Sequence, residues 1–253
     1  MTIESKDNEK LKLVRKLRER KHREREGLFA TEGEDLLAAG LAAGVEPRFV
    51  LVAAGSGLGA SELGAEEVEP ELFAGVSSLG SGTRAIAVWP LTWGPSEPEA
   101  PCVYLHAVGD PGNVGTIVRT AHALLDATVA LGPDCADPFG PKATRASMGS
   151  IFARPPARAE VTATPSPRAA LVAHGGAGLD ALAGAATLCL GAEREGLRPE
   201  VVAACETTAT IPLAGAAESL NVAAAAAIAC ERLGAVGGAR ISSPAMSEES
   251  ADA

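Results

Sequence analysis

From residue 102 onward, short apolar runs alternate with helix-compatible segments. That alternation limits this half of the chain to a mostly parallel sheet with helices on both faces. CVYLHAV (102–108) reads as a buried strand, residues 113–125 as a helix, ATVALG (127–132) as a strand and residues 141–149 as a helical turn. After a less regular stretch come a strand at 187–190, a helix at 199–205, a strand at 210–213 and a helix at 218–233. Sheets of this class hold ligands beyond the carboxyl ends of their strands, so the segments following the strands are where chemistry is expected.

The first 90 residues read as a smaller α/β unit. Leu11, Val14 and Leu17 form one apolar stripe on an otherwise charged helix. GLFATEGEDLLAAGLAAG (27–44) reads as a strand and a helix, followed by strands at 49–53 and 84–89 around a turn-rich stretch at 55–64. Residues 91–101, rich in proline and acid, form a linker by composition. The expected organisation is 1–90, a linker at 91–101, a second domain at 102–236 and a disordered tail at 237–253.

Charge is more informative by position than in total. Residues 10–26 hold nine basic and three acidic side chains, a net of +6, which leaves −16 for the rest of a chain whose total is −10. A basic helix on an acidic body suits contact with phosphates, through Arg15, Lys16, Arg18, Lys21 and Arg23. A solvated helix face fits the same composition. Aromatic residues are only 3%, so an aromatic base-stacking platform is not expected. Five scattered cysteines without a CxxC pair suit reduced thiols, and four histidines without metal-ligand spacing argue against a metal. The start, MTIESKDNEK, lacks an apolar signal core, and no run is long and apolar enough for a bilayer. The expectation is a soluble cytoplasmic protein.

Three segments carry candidate chemistry. LHAVGDPGNVGTIVRTAHALL (105–125) matches neither the dinucleotide fingerprint nor the P-loop; it places Asn113 at the start of a helix and Arg119 opposite that helix's apolar face. LCLGAEREGL (188–197) ends a strand in Gly191, with Glu193 and Gly196 in a tight turn whose glycines permit close backbone approach to a ligand. IPLAGAAESLNVAAAAAIACERL (211–233) sets Ser219 and Asn221 at the start of an almost wholly apolar helix, with Ser219 a candidate cap. Read alone, each also fits a surface arginine, an ordinary turn or a capped helix.

Together the three resemble the motifs of the SpoU branch of the SPOUT methyltransferases, RNA ribose 2′-O-methyltransferases that use S-adenosylmethionine. DPGNVGTIVRTA resembles the first motif, LGAEREGL the second and IPLAGAAESLNVAAAAA the third; PKATRASMGSIFARP (141–155) resembles the segment between the first two. AHALLDATVAL departs from the family in lacking an aromatic-glycine pair after Arg119. The N-terminal unit resembles the ribosomal-protein-like substrate-binding module found before many SpoU domains.

The resemblance implies a parallel α/β sheet with a deep C-terminal trefoil knot, S-adenosylmethionine as cofactor, RNA as partner, a homodimer, and neither metal nor membrane. It implies cofactor contacts from Leu190, Gly191, Gly196, Ile211, Leu213 and Leu220. Catalytic roles fall to Arg119, Asn113, Glu193, Ser219 and Asn221. The family assigns the ribose hydroxyl proton to the arginine at the place of Arg119, while a guanidinium is better suited to placing the ribose and a phosphate. Glu193, Ser219 and Asn221 would orient Arg119 or the substrate. Lys142 and Arg145 are candidate phosphate contacts or plain surface charges. Large-subunit ribosomal RNA is preferred over transfer RNA as substrate, with a resistance-type enzyme as one form. The alternative is a catalytically idle RNA-binding or assembly factor.

Overall fold

The computed structural model describes residues 2–77, 82–215 and 218–236, so the tail expected at 237–253 lies outside the described residues. In the first unit the order is β1 (Thr2–Ile3), α1 (Glu9–Lys16), α2 (Arg20–Glu26), β2 (Leu28–Glu32), α3 (Glu34–Ala42), β3 (Phe49–Ala53), β4 (Glu66–Val68), α4 (Pro70–Val76) and β5 (Ala85–Pro90). Its sheet runs β1-β4-β3-β5-β2, with β5 antiparallel to both neighbours. The Leu11, Val14 and Leu17 stripe is 0%, 3% and 1% exposed and forms part of this unit's core. The basic stretch is two helices rather than one, broken at residues 17–19 and closed by Gly27, whose φ of 63° is the left-handed cap conformation glycine adopts freely.

The second unit contains β6 (Cys102–Leu105), α5 (Pro111–Leu125), β7 (Thr128–Leu131), α6 (Pro141–Ser147), α7 (Ser150–Ala153), β8 (Ala157–Arg158), β9 (Arg168–Leu171), β10 (Thr187–Leu190), α8 (Pro199–Ala203), β11 (Thr207–Ala209) and α9 (Val222–Val236). All six strands are parallel, in the order β11-β9-β10-β6-β7-β8. Val103, Leu105, Leu188 and Leu190 point from the central strands into a core closed by α5 and α9. Cys102, Tyr104 and Cys189 point to the other face, toward Val201 of α8.

Most expected elements shift by a few residues at their ends, and two of the shifts bear on the site. The strand expected at 210–213 is β11, three residues earlier, where it pairs with β9. Pro212 has no N–H to offer a ladder, and Ile211 and Leu213 instead face a cleft. The helix expected from 218 starts at Val222 because Asn221, not Ser219, caps it: Asn221 Oδ1 accepts from the amides of Ala223 (2.9 Å) and Ala224 (3.4 Å). β9 falls within the less regular stretch, where a four-residue RAAL gave no clear period.

The linker is pinned to the second unit. Trp93 stacks edge-on to Phe139 at 4.9 Å, carries the Arg158 guanidinium 4.0 Å above its ring, and is followed by Gly94, whose N–H donates to the Pro156 carbonyl. No helix among the described residues is long and apolar enough to cross a membrane.

Candidate active site

The carboxyl ends of β6 and β10 lie side by side, Leu105 against Leu190, so the segments leaving them meet. Asp110 caps α5 by accepting from the Asn113 amide at 2.9 Å, which fixes Asn113 in the first turn. The Lys142 ammonium, 2.6 Å away, and then that amide hold the Asp110 carboxyl below the usual carboxylate range. Gly115 lies where α5 and α6 touch, since a Cβ there would collide with the Ala143 carbonyl oxygen.

After β10 the chain closes a tight turn in which the Ala192 amide donates to Gly196 O (3.1 Å) and the Gly196 amide to Ala192 O (2.9 Å). A Cβ on Gly191 would overlap the Gly196 backbone, so this turn exists only with glycine there. The turn delivers Glu193 to the start of α5. Asn113 Nδ2 donates to Glu193 Oε1 at 2.6 Å, and Asn221 Nδ2 donates to Asn113 Oδ1 at 3.1 Å. Because Asn221 Oδ1 is occupied by the α9 amides, both asparagine amides have a fixed sense. One hydrogen-bond chain therefore runs from the α9 N-terminus through Asn221 and Asn113 to the Glu193 carboxylate, joining all three motif segments.

Beside it lies a cleft of about 280 Å³. Its lining includes all six expected cofactor residues, Leu190, Gly191, Gly196, Ile211, Leu213 and Leu220, together with Glu193 and Ser219. Apolar walls and a few charged groups suit a nucleoside joined to an amino-acid end, and the glycine turn supplies unobstructed backbone. The residues present thus fit S-adenosylmethionine. Sequence reasoning missed the third wall, Val172, Ala173 and His174, because β9 before it was not recognised. That loop is held by Gly176, whose N–H donates to Thr210 Oγ1 at 2.9 Å.

Arg119 stands apart. It is exposed on α5, outside the cleft lining, and makes no hydrogen bond or ion pair among the described residues. Glu193 and Asn221 bond to Asn113 rather than to Arg119, and Ser219 lines the cleft.

Of the expected RNA contacts, Arg15, Lys16, Arg18, Lys21 and Lys142 keep at least part of their side chains open to solvent. Arg145 is half-buried. Arg23 requires a correction: it is 4% exposed, and its guanidinium is spent on Asp137 and on the carbonyls of Leu17 and Arg18. Its position in a run of surface cations hid its burial.

The SpoU rRNA Methylase family profile matches residues 100–231, and that of the MRM3-like substrate binding domain matches residues 8–83. The chain belongs to the SpoU rRNA methylase family. It is 32% identical over 242 residues, 89% of this chain and 96% of the other, to the Bacillus subtilis 23S rRNA (guanosine(2553)-2′-O)-methyltransferase RlmP. The AdoMet-bound rRNA methyltransferase of Sinorhizobium meliloti superposes with a TM-score of 0.81 at 26% identity, covering 92% of this chain and 97% of that one. The SpoU methyltransferase AviRb of Streptomyces viridochromogenes, in complex with AdoMet, gives 0.77 at 25% identity over 90% and 97%. As a SpoU protein, the chain is an S-adenosylmethionine-dependent RNA 2′-O-methyltransferase.

Proposed function

We propose that the protein methylates the ribose 2′-hydroxyl of a structured ribosomal RNA, with the large-subunit RNA as target. The observation that carries this reading is the Asn221–Asn113–Glu193 chain at the mouth of the glycine-bordered cleft. It ties both cofactor-side segments to the helix bearing Arg119. The target is supported by the relative named for 23S rRNA over nearly its whole length.

S-adenosylmethionine, when bound, supplies an already electrophilic methyl group. The protein's task is then alignment of the sugar oxygen and management of its proton. Leu190, Gly191, Gly196, Ile211, Leu213 and Leu220 would hold the cofactor. Arg119, exposed and without an internal partner among the described residues, would grip the ribose and its phosphate. A guanidinium stays protonated, so positioning is the role its chemistry supports.

In this reading the second and third motifs form the knot, and the enzyme works in the cytoplasm as a homodimer. The open face of α9, with Ala224 and Ile228 exposed, supports packing against a second copy. A resistance-type role would use the same reaction at an antibiotic's ribosomal site.

The test is incubation of ribosomal RNA with labelled S-adenosylmethionine, followed by nucleoside mass spectrometry. A 2′-O-methylated nucleoside is expected. Arg119→Ala should lower its yield by roughly 100-fold while leaving cofactor affinity within about twofold. Tight RNA binding without label incorporation would replace this reading with that of a binding factor.

A further inference from the structure

We propose that this chain presents RNA through one preset inter-domain geometry, and that Arg23 is the positioning residue that fixes it. The choice of RNA as substrate rests on the proposed function; the docking itself does not. Domains joined by a linker move relative to each other unless their interface is large and apolar. Here it is apolar. Five of the chain's eight aromatic residues meet at the junction: Phe29 and Trp89 from the first unit, Trp93 from the linker, and Phe139 and Phe152 from the segment between the first two motifs. Ring centroids lie 5.1 Å apart for Phe29–Phe139, 5.8 Å for Phe29–Phe152 and 4.8 Å for Trp89–Phe152. Alongside, Gly149 packs so tightly on α3 that a Cβ there would overlap Ala39.

Arg23 converts this contact into a defined orientation. Its Nε and Nη2 donate to Asp137 Oδ2 at 3.0 and 2.5 Å, while Nη1 donates to the Leu17 and Arg18 carbonyls at 2.7 and 2.8 Å. One planar group thus ties the α1–α2 turn to the second unit. The turn contains Arg18 and leads to Lys21; Asp137 lies just before α6, which bears Lys142 and Arg145 and presses on α5 at Gly115. Cations from both units and Arg119 therefore share one frame, and their spacing selects the RNA shape that can bridge them.

The experiment uses the full chain. Removing one partner would strand the other as a buried charge, so the informative variant is Arg23→Met with Asp137→Leu, alongside Arg23→Lys. The double variant should show a larger radius of gyration by X-ray scattering without RNA. Its kcat/KM for a ribosomal RNA fragment should fall by roughly tenfold or more, with S-adenosylmethionine affinity by calorimetry within about twofold. The salt dependence of RNA binding should not change, since the number of neutralised phosphates stays the same. Arg23→Lys should be intermediate, because an ammonium cannot span Asp137 and two carbonyls with the same fork.

Scattering and RNA kinetics like those of the wild type would overturn the proposal. So would a reduced salt slope with unchanged scattering, which would make Arg23 a phosphate ligand. If the double variant does not fold, Arg23→Lys decides by the same measurements. A wild-type chain that methylates no RNA would overturn the substrate reading alone, and the scattering comparison would still decide the docking.

Discussion

Asn113 is the residue on which the site turns. Its backbone is fixed by Asp110 and its amide by Glu193 and Asn221, so replacing the side chain leaves the helix cap intact and breaks only the links between motifs. Asn113→Ala should lower methyl transfer strongly while costing about 1–2 kcal/mol of stability, the worth of two partly solvated hydrogen bonds. Asn113→Asp should be at least as inactive, because it sets a carboxylate against Glu193. Activity near that of the wild type in either variant would remove the chain of bonds from the mechanism. The thiols offer a second test at this scale. Burial pushes Cys102 and Cys230 up to about 12, and the neighbouring free thiol of Cys205, together with burial, raises Cys189, while Cys205 itself is lowered by that neighbour. The thiolate is the reactive form and must be reachable, so mild alkylation near neutral pH should label the half-buried Cys205 and spare the buried Cys102, Cys189 and Cys230 until the chain unfolds. Equal labelling of Cys230, read by mass spectrometry, would contradict the packing of α9. The motif residues were legible from sequence. Their mutual bonds, spanning 80 and 108 positions, were not, because no local pattern encodes a long-range partner.

Elements were legible where period and length agreed. The 187–190 strand and the apolar stripe of α1 follow directly from their spacing. β9 and β11 did not, since Arg-Ala-Ala-Leu and Thr-Thr-Ala lack the large apolar residues of Thr-Leu-Cys-Leu, while the more apolar Ile-Pro-Leu looked like the better strand. Tertiary context decided between them: β9 was available as a partner for Thr207–Ala209, and the cleft took up Ile211 and Leu213. The meeting of α5 and α6 shows what one missing methyl permits. Gly115→Ala forces the helices apart at the Ala143 carbonyl, and overpacking of this kind costs about 1–3 kcal/mol. Urea unfolding should register that cost, with a matching drop in methyl transfer because α5 carries both Asn113 and Arg119. A substitution without effect on either would mean the two helices slide apart freely.

At the scale of the whole molecule, the basic segment proves to be core and surface at once. Deleting it would expose the pocket left by Leu11, Val14 and Leu17, so truncation reports on folding rather than on RNA. Charge also does less than the count implies. Lys10 pairs with Glu66, Lys12 with Glu9 and Arg20 with Glu24, while Lys21 lies 2.8 Å from Glu19, and exposed pairs of this kind contribute little to stability. They are nevertheless available to exchange an acidic partner for a phosphate. Lys16→Gln with Lys21→Gln removes two exposed charges and no apolar packing, so the melting temperature should stay nearly constant. If both reach phosphates, the slope of log affinity against log salt should flatten by roughly 0.9 for each phosphate no longer neutralised. An unchanged slope would remove this face from the RNA footprint. Binding would then have to come from Lys142, Arg145 and Arg119 on the catalytic half, leaving the docked first unit to act by shape, since the net charge of −10 supplies no general attraction to a polyanion.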